Sequence, residues 1–275
     1  MQLGKVGIWT GTPLWAERPQ RAAEIEELGF GALWLGGSPT GDLRIAESLL
    51  DATTTLKIAT GIVNVWTTEA WEVAESYRRI EARHPGRFLL GVGAGHKLFN
   101  SGYEKPYTKL VSYLDELDTG GVPASGRALA ALGPKVLTLA AERTLGAHPY
   151  FVPVEHTRQA RKTLGDGPLL APEIAVVLEP DREVAADIIR EYTSLYLQLT
   201  NYTNNLLRLG FTEEDFVDGG SQRLIDALIP QGIDNIVAAV AQHHEAGADH
   251  VNIQVLTVDK SLDMDAIRTL GKALA

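Results

Sequence analysis

The run FLLGVGAGH, residues 88–96, sets Gly91, Gly93 and Gly95 at alternate positions and ends on His96. A glycine-rich turn after a strand lets backbone come close to a ligand, and its N–H groups favour an anion such as phosphate. A histidine at the same place offers proton transfer near neutral pH. A turn at a sheet rim that binds nothing is the alternative these residues leave open. The spacing is GxGxG, not the GxGxxG of a dinucleotide-binding turn, and the following HKLFNSGYEKPY does not open a helix. A second cluster, Gly133-Pro134-Lys135, puts glycine at a helix cap, proline at the first helical position and a lysine beside them. It reads either as a phosphate seat or as an ordinary helix start.

Other side chains could serve the same chemistry. His148 is a second acid–base candidate, or a hydrogen-bonded core histidine. Ser38 follows Gly36-Gly37 and could bind substrate or simply turn the chain. Trp9, Trp34 and Trp66 fall at strands or strand ends, where they could wall a flat ligand, with core packing the default for Trp34. The stretch YTSLYLQLTNYTNNLL, Tyr192–Leu207, is rich in Tyr, Thr and Asn and reads as a pocket lining, a dimer interface or a half-buried helix. No metal site is expected. His243 and His244 are adjacent on a helix and diverge around it, and no carboxylate–histidine set has zinc spacing.

These residues need a frame. The chain has 275 residues, 45% of them hydrophobic, with no cysteine and a net charge of −10. The acid balance and the lack of a basic run argue against nucleic acid. No apolar run is long enough for a membrane span. The N-terminus does not read as a signal peptide, and with zero cysteines the expectation is a cytoplasmic protein. Strand and helix patterns alternate throughout. Strands are expected at Lys5–Thr10, Ala32–Gly36, Lys57–Val63, Arg87–Val92, Arg127–Leu132, Ala147–Val152, Glu173–Leu178 and His250–Leu256. Helices are expected near 17–28, 45–52, 67–84, 133–144, 154–164, 181–209, 233–245 and 264–274. Ala94–Glu104 is the one irregular stretch of note. Eight strands alternating with helices predict an α/β fold, a (β/α)8 TIM barrel forming one domain over 1–275, with a polar-aromatic helical segment around 181–230. A doubly wound sheet is the competing architecture. In a barrel, functional groups gather where strands end. That rule places Gly93 to His96, Gly133 to Lys135 and Ser38 on one face.

The sequence also resembles the luciferase-like monooxygenase superfamily, in its branch of oxidoreductases dependent on the deazaflavin coenzyme F420. The stretches that carry the likeness are ELGFGALWLGGSP, LKIATGIVNVWTTEAWEVAESYRRI, HPGRFLLGVGAGH, LAALGPKVLTLAAERTLGAHPYFVPVEHTRQARKTLG and AGADHVNIQVL. They cover most of the chain in the family's order. The resemblance implies a TIM barrel, a homodimer, and hydride transfer between F420 and a small organic substrate. It implies a cis peptide at Gly61–Ile62 against the coenzyme ring. The phosphate would be held by Gly93, Ala94 and Gly95 and by Gly133, Pro134 and Lys135, with Asn64 nearby. The catalytic candidates are then His96, Ser38 and His148. Where better-known relatives carry a histidine after strand two and a glutamate after strand four, this chain has Ser38 and His96. That departure puts a sugar-phosphate substrate in doubt. It keeps in play an F420-binding carrier without turnover; the other alternative is an FMN-dependent monooxygenase or reductase of the same superfamily.

Overall fold

The computed structural model describes residues 1–100 and 104–274, so residues 101–103 of the irregular stretch lie outside the described residues. Eight parallel strands form the sheet. They are β1 (Val6–Gly11), β2 (Ala32–Gly36), β3 in two segments (Lys57–Thr60 and Val63–Asn64) and β4 (Phe88–Gly93), followed by β5 (Arg127–Leu129), β6 (Gly146–Ala147), β7 in two segments (Leu169–Leu170 and Glu173–Val176) and β8 (Val251–Val255). Neighbours pair in chain order, and β8 pairs with both β7 and β1. The first segment of β7 pairs with β6 and the second with β8. The two segments are successive, so the ring closes through them. The predicted barrel is borne out.

Around it lie α1 (Ala22–Glu27), α2 (Arg44–Asp51), α3 (Ala70–Arg83), α4 (Pro106–Thr119), α5 (Pro134–Arg143), α6 (Val154–Leu164), α7 (Arg182–Tyr196), α8 (Thr200–Arg208), α9 (Gln222–Leu228), α10 (Ile233–Glu245) and α11 (Met264–Leu274). Outward strand residues such as Ile8, Leu33, Leu90 and Ile253 pack beneath these helices in the main core. The inward face holds Trp9 and Trp34 among Ala32, Ala59, Ala128 and Ala171. Small neighbours are what let two indoles fit inside a narrow barrel: a Cβ on Gly36 would lie 1.9 Å from the Trp9 ring.

Several boundaries differ from the sequence reading, for physical reasons. β6 stops at Ala147 rather than Val152, because Pro149 has no N–H for the ladder. Helix α4 was not anticipated. It is tied down by Arg127, 1% exposed, whose guanidinium donates to Leu114 O and Val122 O and pairs with Asp118 at 2.5 Å. The expected helix over 181–209 is two helices. Asp181 caps α7 by accepting from Glu183 N and Val184 N. The chain then breaks at Leu199, which turns extended and buries its side chain.

Candidate active site

A cavity of about 620 Å³ opens at the C-terminal ends of the strands, the functional face of a barrel. Trp9, Gly61, Ile62, Asn64, Ala130, His148 and Tyr150 line it from the barrel, and His96 and Asn100 from the loop after β4. Gly133 and Lys135 contribute at the start of α5. Asn201, Tyr202 and Arg208 contribute from α8.

The interruption of β3 shapes this face. The Gly61–Ile62 peptide is cis, as the resemblance implied. Beyond it the chain re-pairs with β4 at Val63 and Asn64. Asn64 then organises the next loop: its Nδ2 donates to Asn100 Oδ1 at 2.8 Å, and Asn100 Nδ2 donates to His96 O at 2.7 Å. Gly95 lies under this clamp in the left-handed region, φ +56°, and a Cβ there would be 3.0 Å from both amide nitrogens. A side chain would break the clamp.

Of the predicted cofactor contacts, Gly61, Ile62, Asn64, Ala94, Gly95, Gly133 and Lys135 line the cavity; Gly93 and Pro134 do not. The reading of Gly93 as an open phosphate approach is therefore corrected. Ala130 Cβ and Ile62 Cγ1 occupy the space its side chain would take, at 2.9 and 3.1 Å from an added Cβ. Gly91 is likewise a close approach between strands, since its Cβ would meet Thr60 O at 1.9 Å. Gly93→Val is expected to lower stability by about 1–3 kcal/mol through overpacking, and to weaken ligand binding only by displacing Ile62. A urea-unfolding midpoint that does not move would contradict this.

His96, Ser38 and His148 all line the cavity. His96 is half-buried. Its Nδ1 lies 3.0 Å from Asn201 Oδ1, which only accepts, so Nδ1 carries the hydrogen and Nε2 is the acceptor. Burial holds its pKa below the usual histidine range, and the Asn201 contact partly offsets that. Ser38 is exposed at the rim with φ +54°. His148 is buried, and burial pushes its pKa down to about 4. Its Nδ1 lies 2.7 Å from Ala171 O, and its ring stacks on Trp34 at 4.1 Å between centroids. Such a group stays neutral at pH 7, so of the acid and base roles expected of His148 its environment favours that of a hydrogen-bond acceptor. Trp34 is fully buried, and of the three tryptophans only Trp9 lines the cavity.

The sequence reading missed Arg208. Its Nη2 comes within 3.8 Å of where a Gly133 Cβ would stand. With Lys135 it places two exposed cations at the α5 N-terminus, where helix N–H groups already favour an anion. Tyr150, which the sequence places near the end of the sixth expected strand, is also a wall residue. Its hydroxyl joins those of Tyr196 and Tyr192 at 2.8 and 3.0 Å and donates to Gln254 Oε1 at 2.7 Å. Burial raises all three phenols, so they stay neutral donors. Elsewhere, His243 contacts Thr157 Oγ1, and His244 and His250 contact backbone carbonyls. Among the described residues no group of three or more His, Cys, Asp or Glu could hold a metal ion. Among them, too, no helix is long and apolar enough to cross a membrane.

Comparison with known proteins agrees with this fold. Residues 2–117 match the luciferase-like monooxygenase family profile, which bears out the resemblance carried by the motifs up to His96. No curated protein sequence matches the chain. Among solved structures, the fold is similar to an F420-dependent secondary alcohol dehydrogenase in complex with an F420–acetone adduct, at TM-score 0.72 and 15% identity over 100% of both chains. It is similar to the coenzyme F420 dependent tetrahydromethanopterin reductase of Methanopyrus kandleri, at 0.72 and 15% over 100% of this chain and 99% of that one. It is equally similar to the oxygenating constituent of 3,6-diketocamphane monooxygenase of Pseudomonas putida in complex with FMN, at 0.72 and 11% over 100% and 97%. At these identities the likeness is one of fold.

Proposed function

We propose that this chain, whose residues 2–117 match the luciferase-like monooxygenase profile, is an oxidoreductase that binds F420 in the cavity and passes a hydride between it and a small organic substrate. The observation that carries the reading is the combination of groups lining one cavity. Lys135, Arg208 and Gly133 at the start of α5 line it, and so do Gly61, Ile62, Trp9 and Ala130. That combination suits a planar ring joined to a phosphate. Lys135, Arg208 and the first turn of α5 would hold the phosphate. The deazaflavin, when bound, supplies the hydride-carrying carbon. The protein's own part is to orient the ring, exclude water and move the accompanying proton. His96 is the group for that last task. It is neutral, and its Nε2 is free to take a proton while Asn201 holds Nδ1 in place.

The second reading, FMN as the coenzyme, is favoured by the equal fold likeness to the FMN-bound monooxygenase. Turnover separates these from a carrier. Reduced F420, incubated with the protein and a panel of ketones, aldehydes and enones, is expected to be reoxidised by at least one member. F420 that binds but is never oxidised across the panel would make the protein a carrier.

A further inference from the structure

A buried donor and a buried acceptor stand without protein partners at the floor of the cavity. Trp9 Nε1 and His148 Nε2 each lack a hydrogen-bond partner, although both side chains line the cavity. Native interiors rarely leave such groups unmade, so an unmade pair beside a cavity points to a ligand. The two nitrogens also stand close together, since each lies near the position a Cβ on Gly61 would take, 2.8 Å away for Trp9 Nε1 and 3.0 Å for His148 Nε2. Glycine at 61 keeps a side chain off both.

The role of each atom is fixed. An indole N–H only donates. His148 Nδ1 faces the Ala171 carbonyl at 2.7 Å, so Nδ1 carries the hydrogen and Nε2 presents its lone pair. Stacking on Trp34 holds the ring in that orientation.

We propose that Trp9 and His148 form a seat for one hydroxyl group of a ligand. The hydroxyl oxygen accepts from Trp9 Nε1–H, and the hydroxyl hydrogen is donated to His148 Nε2. A single atom that both accepts and donates suits a donor and an acceptor that stand this close together. A ketone or ether oxygen satisfies only Trp9, an ammonium only His148, and a methyl group neither. Two sources can supply the hydroxyl. One is the phenolic hydroxyl on the outer ring of F420, where FMN carries a methyl group. The other is the alcohol of a substrate. The first rests on the F420 reading; the second does not.

The test titrates wild type, Trp9→Phe, His148→Asn and His148→Gln with F420 and with FMN, and records a thermal melt for each. Asn keeps an amide N–H toward Ala171 and loses the acceptor, whereas Gln carries a carbonyl oxygen toward the Nε2 position. With the ring hydroxyl in the seat, Trp9→Phe and His148→Asn each bind F420 roughly three- to tenfold more weakly. His148→Gln recovers affinity, and FMN binding does not change. With a substrate alcohol in the seat, F420 affinity is the same in all four proteins. Crystals of the cofactor complex soaked in isopropanol then show the alcohol oxygen within hydrogen-bond distance of both nitrogens. Equal losses for F420 and FMN overturn the proposal, because the ring edge they share would be the partner. Unchanged affinities with only water in the seat, with and without isopropanol, overturn it as well. If wild type does not bind F420, the cofactor reading fails, and the isopropanol soak of the FMN complex decides the seat alone. If His148→Asn does not fold, Trp9→Phe, which keeps the ring packing, carries the test.

Discussion

Replacing Lys135 and Arg208 together by alanine is expected to weaken F420 binding by about a hundredfold, roughly tenfold for each charge-assisted contact removed. The melting temperature should stay where it was. Both side chains are exposed. Among the described residues neither stands within ion-pair distance of a carboxylate, and the hydrogen bond of the Arg208 guanidinium goes to Asn205 Oδ1 at 3.2 Å. Little of the fold therefore depends on them. Because the contacts are exposed, added salt should weaken wild-type binding and leave the double variant nearly unaffected. An unchanged affinity in the double variant would remove the phosphate seat.

The second large effect is on stability. Burial pushes His148, His156, His243 and His250 down to about 4 each. In the unfolded chain they titrate near 6.5. Below pH 6.5 the unfolded state therefore binds protons that the folded state refuses, and stability falls as pH drops toward 4. Glu173 works the other way. Burial raises its carboxyl to about 8, so the folded state keeps a proton that the unfolded state has released above about 4.5. Its contribution is full below pH 4.5 and is lost as pH rises through 8. Between pH 5 and 6 four histidines oppose one carboxyl. The net slope is on the order of three to four kcal/mol per pH unit, a large share of an ordinary domain's stability. Urea midpoints taken from pH 7 to pH 5 should fall steeply. A flat profile over that range would mean the buried histidines already titrate normally in the fold.

The barrel was legible because its strongest signals are local. ALWLG in β2 and the stripe of Ala70, Val73, Ala74, Tyr77 and Ile80 in α3 each announce a period without help from the rest of the chain. Leu110, Tyr113, Leu114 and Leu117 carry the same helical signal in α4, yet the sequence reading assigns no element between the irregular stretch ending at Glu104 and the strand starting at Arg127. The place of His96 and Ser38 at the cavity was legible because the barrel rule sorts strand ends. Gly93 was misread because local sequence shows that a glycine is needed but not what fills the space. Ile62 and Ala130 come from neighbouring strands. Arg208 was invisible for the same reason: its place beside Gly133 exists only once α8 folds over the barrel mouth. The cis peptide came from family resemblance, since nothing in the spacing of Gly61 and Ile62 announces it.

The central claim is that the cavity is built for a phosphate-bearing deazaflavin. The direct measurement is a titration of wild type with F420 and, separately, with FMN, followed by tryptophan fluorescence, since Trp9 lines the cavity. The account predicts saturable quenching by F420 at micromolar concentration or below, about 8 kcal/mol of binding free energy or more, and at least tenfold weaker binding of FMN. Tight FMN binding with no response to F420 would contradict it.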